Sequence, residues 1–130
     1  MSNCPCHSKK KYEKCCQPFH LGAVPENGLL VMRSRYSAYC LSLFEYIIAT
    51  THPKSRFYNN DISKWKEEIL AFCEATSFDN LTIIEHISTS NLETVTFKAH
   101  LTEGNHDISF TEKSTFLKDE GRFKYFEGQL

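Results

Sequence analysis

No apolar run in this 130-residue chain approaches the ~20 residues that a membrane-spanning helix requires. The first 20 residues are polar and cysteine-rich, which does not read as a secretion signal. Charge of either sign is not in excess: 15 Lys+Arg stand against 16 Asp+Glu, a formal net charge of -1. Such a balance gives no global pull toward nucleic acid or an anionic membrane. Also missing are a glycine-rich nucleotide loop, an HExxH helix, a convincing nucleophile triad and the C-x-x-C pair of thioredoxin-like redox sites. These absences exclude the best-marked enzyme classes and lead to the expectation of a cytoplasmic protein, with no membrane partner.

What remains is a chain with 41% hydrophobic and 13% aromatic residues, which is not the composition of a disordered segment. It is long enough to bury a real core without metal or disulfide staples, as one domain with a small appendage. Its six cysteines are unevenly spread, four of them within CPCHSKKKYEKCCQPFH. In a reducing compartment clustered cysteines more often hold metal than form bridges. Residues 1–20 are therefore expected to be a metal-binding segment, 21–28 a linker punctuated by Gly22, Pro25 and Gly28, and 29–130 the main domain.

Residues 29–50 carry Leu29, Met32, Tyr36, Tyr39, Leu43 and Ile47 at three- and four-residue steps, which predicts one helix ended by His52-Pro53. ISKWKEEILAFCEA, 62–75, predicts a second helix with Trp65, Ile69 and Phe72 inward. Cys40 and Cys73 fall in these helices and read as small buried apolar residues. From Leu81 the period changes to that of strands, at 81–88, 92–101, 106–118 and 122–128. Helices followed by a strand meander make an α+β arrangement.

The cysteine segment spaces its thiols as C-x-C, eight residues, then CC. Tetrahedral zinc takes four soft or borderline donors, and four thiolates close the site. Both C-x-C and CC need a turn or a helix start to aim two sulfurs at one ion. Lys9, Lys10, Lys11 and Lys14 offset the negative charge of such a site but also lower thiol pKa values, so redox or regulatory thiols stay as an alternative. His7 and His20 could each replace one cysteine, but four thiolates already suffice, and both read as solvent-facing.

These same residues resemble the SEC-C zinc motif found in the tail of the bacterial translocase SecA. VMRSRYSAY (31–39), THP (51–53) and FTEKSTFLKDEGRFKYFEG (110–128) are similar to the YchJ-like (UPF0225) family of small bacterial proteins. The resemblance implies Zn2+ on Cys4, Cys6, Cys15 and Cys16. The motif commonly has glycines where this chain has His7 and Lys9. It further implies an NTF2-like (cystatin-like) bent antiparallel sheet that wraps helices around a cavity, a fold whose sheets often form homodimers. No activity carries over. SecA's motif is associated with chaperone and ribosome contacts, so a binding or adaptor module touching protein or ribosomal partners through the basic segment is expected.

One residue points elsewhere. Strand alternation puts Ile108, Phe110, Glu112, Ser114 and Phe116 on one inward row, with a carboxylate in the middle of it. Such a group must be paired, neutralised or beside a cavity, or be turned outward by a bulge. Arg33 and Arg35 are its candidate partners. Either an Arg–Glu bond pins helix to sheet, or the three residues line a pocket for a small molecule or a reaction. By the same alternation His100 belongs with Thr96 and Lys98, and His86 with Thr82, Ile84 and Ser88, on mostly polar rows.

Overall fold

A computed structural model describes residues 3–130. After a 3-10 turn at Tyr12–Lys14 come helices α1 (Gln17–His20), α2 (Gly28–Cys40), α3 (Phe44–Ala49) and α4 (Ile62–Ala75). Strands β1 (Thr76–Ser88), β2 (Leu92–Glu103), β3 (His106–Asp107), β4 (Phe110–Asp119) and β5 (Arg122–Gln129) follow. The order is the α+β one that the change of period predicts.

The single helix expected over 29–50 is two. Ser42 takes a positive φ of 59°. The Leu43 N–H reaches back to the Ala38 carbonyl at 2.8 Å, and the Ser42 N–H to Tyr39 at 3.2 Å. This is the Schellman stop, which glycine usually marks. Here a serine fills the left-handed position, so the apolar stripe runs through the break without a warning. Asp61 caps α4 by accepting from the Lys64 N–H at 3.1 Å. Trp65, Ile69 and Cys73 are the buried row of α4, whereas Phe72 lies at the rim and Cys40 at the surface.

The four long strands are ordered β1-β2-β4-β5, all antiparallel, with β3 paired to β2. The expectation of a strongly bent, cystatin-like sheet is corrected here. The sheet is open and does not close or curl strongly. Its central β2–β4 ladder runs from Leu92↔Leu117 to Ala99↔Phe110 without a register shift. The irregularities are confined to the outer pairs, at Phe78/Asn80 and Ile83/Glu85 against β2 and at Thr115/Phe116 against β5. Bulges bend a sheet where they interrupt pairing, and none interrupts the centre.

The bulge after Ile83 also reverses the alternation of β1. Beyond it His86 faces Val95 and Ser88 faces Glu93 on the inner side, while Ile84 and Ile87 turn out and are 57% and 45% exposed. β1 begins at Thr76, directly after α4, five residues before the predicted start.

One core joins Val31, Met32 and Tyr36 of α2 to Leu81, Val95, Phe97, Ala99, Leu101, Phe116 and Phe123 of the sheet, and it includes Cys4, Cys6 and Cys16. A second holds Ala38, Ile47, Trp65, Ile69 and Cys73 between α2, α3 and α4.

Glu93 stands in the inner apolar row of β2 and is only 3% exposed. Its Oε1 accepts from the Gly28 N–H at 2.7 Å and pairs with His86 Nε2 at 2.6 Å, while Oε2 accepts from Ser88 Oγ at 2.8 Å. A carboxylate at the first residue of α2 satisfies an orphan N–H and meets the positive end of the helix dipole. A Cβ at Gly28 would come within 3.1 Å of Glu93 Cβ and of the Phe116 ring, so a larger residue there would press on both. Burial pushes the Glu93 carboxyl up, but the bonds from His86, Gly28 and Ser88 outweigh it and hold the group below its ordinary value.

Glu93→Ala should therefore cost about 2–4 kcal/mol in urea unfolding, because it strands several buried donors at once. The pH sign follows from the lowered pKa. The charge-dependent stability is present above the ordinary glutamate value of about 4.3 and is lost as pH falls through the lower folded value. The stability gap between wild type and Glu93→Gln should thus shrink on acidification; a gap independent of pH would contradict the assignment.

Candidate functional site

Two assemblies of chemical interest lie on opposite sides of α2. The first is the cysteine cluster. Asn3 and Lys11 form an antiparallel bridge, and the Cys4 N–H bonds to the Lys10 carbonyl at 2.7 Å, closing the intervening segment into a loop. His7 and Lys9 sit in that loop at φ 62° and 70°. These are the positions where the resembling motif has glycine, and the left-handed backbone gives the reason. Cys15 ends the 3-10 turn and Cys16 caps α1, so the change of direction between them aims adjacent side chains at one centre.

The four sulfurs lie within 4.8 Å of one another, with Cys6–Cys15 at 3.6 Å and Cys15–Cys16 at 3.9 Å. All four thiols are free. A tetrahedron with Zn–S bonds of about 2.3 Å has edges of about 3.8 Å, so the observed spacing fits a metal ion at the centre. Ser8 Oγ lies 3.2 Å from Cys15 Sγ. Arg33 Nη1 donates to the Cys6 carbonyl at 3.2 Å and approaches Cys6 Sγ at 3.8 Å.

Charge is unevenly shared. The Cys16 thiol donates to Cys6, and with Ser8, Cys4 and Cys15 it draws the Cys6 pKa down to about 4. Burial pushes Cys4 up to about 11, and the bond to Cys6 together with burial pushes Cys16 up. Filling such a cluster with a divalent cation releases protons, because ligating thiols must be deprotonated.

Neither nearby histidine belongs to the donor set, and the expectation that both face solvent needs correcting for His20. The Ser34 carbonyl can only accept, so His20 Nε2 carries the proton at 2.8 Å and Nδ1 accepts from Tyr12 OH at 2.6 Å. Burial lowers its pKa and favours this neutral form. His7 Nε2 lies 3.3 Å from the Phe78 carbonyl, and its ring meets the edge of Tyr36. Both histidines fasten the cysteine segment to the body.

The second assembly is a cavity of about 820 Å³ between the sheet and α2, α3, α4 and the 56–60 segment. Phe110, Glu112, Ser114 and Phe116 of the inward row line it, with Arg35 and Tyr125. Glu112 Oε2 accepts from Ser114 Oγ at 2.5 Å and from Tyr125 OH at 3.4 Å. Its carboxyl group lies against Gly128, where a Cβ would fall on it. Arg35 Nη1 donates to the Ile47 carbonyl and to the Thr50 and Thr51 hydroxyls at 2.9–3.1 Å, and its guanidinium covers the Tyr125 ring at 4.8 Å. Burial and the neighbouring Glu112 charge raise the Tyr125 pKa, keeping the phenol a donor.

The three residues grouped by sequence reasoning are thus separated. Arg33 serves the cysteine cluster, and Arg35 and Glu112 share the cavity but make no ion pair among the described residues. Sequence reasoning also passed over Glu93, Ser8 and Gly128. Only Glu93 left a signal, as a carboxylate in the apolar row of LETVTFKAHL.

Gly128→Ala tests the packing of Glu112. The added methyl meets the flexible end of a side chain, so stability should fall by no more than about 1 kcal/mol, while the carboxylate swings off β5 and loses Ser114. The chemical shifts of Ser114 and Tyr125 read this directly, and unchanged shifts would refute it.

No helix among the described residues is long and apolar enough to cross a membrane. Residues 27–128 match the family described as YchJ, middle NTF2-like domain. A SEC-C motif containing protein from Rhodopseudomonas palustris, solved in solution, is 32% identical over 98% of each chain, with a TM-score of 0.85. The crystal structure of a SEC-C motif containing protein from Psychrobacter arcticus is 25% identical, covering 95% of this chain and 80% of that one at a TM-score of 0.79. TsrD from Streptomyces laurentii, 16% identical over 78% of this chain and 85% of its own at a TM-score of 0.54, shares the fold alone. With a cysteine cluster spaced for a metal and a domain match over most of its length, the chain belongs to the YchJ family.

Proposed function

We propose that the chain is a cytoplasmic zinc protein whose metal fixes residues 1–20 against α2, and whose function is to bind a small molecule in the cavity between helices and sheet. The observation that supports this reading is the cavity: about 820 Å³, walled by aromatic rings, with Glu112 and Arg35 inside it and no ion pair between them. Ligand sites are of this size and make-up, mostly apolar with a few placed polar groups. Zn2+ suits four thiolates at tetrahedral spacing, and a closed thiolate set has no open position for a substrate. The ion therefore acts as a structural clip, held by Cys4, Cys6, Cys15 and Cys16, with Arg33 and Ser8 orienting the sulfurs. Catalysis has less support, since no histidine lines the cavity among the described residues.

A second reading follows from the surface. Lys9, Lys10, Lys11 and Lys14 are all exposed around the clip, a basic face that a protein or ribosomal partner could use. In this adaptor reading the clip presents the lysines and the cavity is incidental.

Native mass spectrometry of protein purified without added metal should show one zinc per chain, absent from Cys16→Ser, and the same spectra report the oligomeric state. Arg33→Ala, which removes a partner of the Cys6 sulfur, should weaken zinc retention against a chelator by about tenfold. A zinc-free mass with four freely alkylated thiols would displace the metal assignment in favour of redox or regulatory cysteines.

A further inference from the structure

The two ions on the cavity floor are each half-satisfied. Glu112 uses Oε2 for both of its hydrogen bonds, and Oε1 has no donor among the described residues. Arg35 uses Nη1 for all three of its bonds, and Nε and Nη2 have no acceptor among the described residues. Arg35 is 9% exposed, and no carboxylate lies within ion-pair distance of it. The guanidinium is bonded only to neutral oxygens, and neither its free nitrogens nor Glu112 Oε1 is a buried unpartnered atom, so these groups are open to the cavity that both residues line.

Tyr125 sets the spacing between them. Arg35 lies over its ring face, and Glu112 lies at its hydroxyl. The ring keeps the two ions apart instead of letting them collapse onto each other. The side walls are flat and apolar, with Tyr36, Trp65, Phe78 and Phe97 among them. Arg56 and Glu68, the other charged lining residues, are both exposed and belong to the mouth.

We infer that the cavity takes an amphoteric aromatic compound, one whose flat body stacks on the walls while a donating amine meets Glu112 and an anionic or carbonyl acceptor meets Arg35. The assignment rests on the cavity being a binding site and adds the chemical class. A neutral hydrocarbon would bury both ions further without pairing either. A simple acid or a simple amine would pair one and desolvate the other.

Four probes with the same ring system separate the cases: L-tryptophan, tryptamine, indole-3-propionate and indole, titrated into the zinc-replete full chain by calorimetry and by NMR of Tyr125 and Phe97. L-tryptophan should bind at least about tenfold more tightly than each of the other three. Glu112→Gln should weaken L-tryptophan and tryptamine by a similar factor and leave indole-3-propionate no weaker. Arg35 also ties α2 to α3, so Arg35→Lys, which keeps the charge but not the fork, is the companion variant; it should weaken L-tryptophan and indole-3-propionate but not tryptamine. Indole matching L-tryptophan would overturn the amphoteric class while leaving an apolar binding site standing. Tryptamine or indole-3-propionate matching it would equally overturn the class, reducing the floor to one working ion. If none of the four moves the cavity resonances, the small-molecule reading itself fails.

Discussion

The bond from the Gly28 N–H to Glu93 fixes where α2 begins, and α2 is the element on which both assemblies hang. Its position is over-determined: Asn27 caps it by accepting from the Leu30 N–H, Glu93 holds its first residue, and the Schellman turn at Ser42 ends it. A helix buried on nearly every side cannot be placed by one apolar stripe. Val31, Met32, Ser34, Arg35, Tyr36, Ser37 and Ala38 are all buried, so polar contacts must set its rotation. His20 on the Ser34 carbonyl does so from one side, and Arg35 on the Ile47 carbonyl does so from the other.

With the rotation set, the MRSRY segment divides its labour by helical geometry. Residues two apart point about 200° away from each other, since each step turns 100°. Arg33 and Arg35 therefore cannot serve the same carboxylate. Arg33 turns to Cys6 and Arg35 to the cavity, one helix face for each assembly. The sequence offers Arg33 and Arg35 as alternative partners of Glu112, and helical geometry allows only one of them to face the cavity.

Other features were legible for sound reasons, and some were hidden for equally physical ones. The α4 segment and the β2 strand follow their periods because nothing interrupts them, whereas the run over 106–118 divides into β3 and β4 and β5 carries a bulge opposite Thr115/Phe116. The single run over 29–50 conceals its break because serine, not glycine, takes the left-handed residue. The inner and outer rows of β1 are exchanged by one bulge after Ile83, which leaves no mark in LTIIEHIS and brings His86 to Glu93. The openness of the sheet depends on where bulges fall, and composition does not say that. In the cysteine segment the spacing of the thiols was readable, but Arg33 and Ser8 reach the sulfurs through the fold.

The cysteine cluster is built into the apolar core. Cys4, Cys6 and Cys16 pack in the same core as Val31, Tyr36 and Phe97. Burial raises the pKa of Cys4, and the bond to Cys6 together with burial raises that of Cys16. The bond from Cys16 draws the Cys6 pKa down, and Arg33 lies beside its sulfur. The 4–16 loop carries two left-handed non-glycine residues, His7 and Lys9, held by the surrounding geometry. Arg33 of α2 meets the cluster on one face of the helix. The same helix keeps the cavity wall in place on its opposite face, anchored independently by Glu93 and by Arg35.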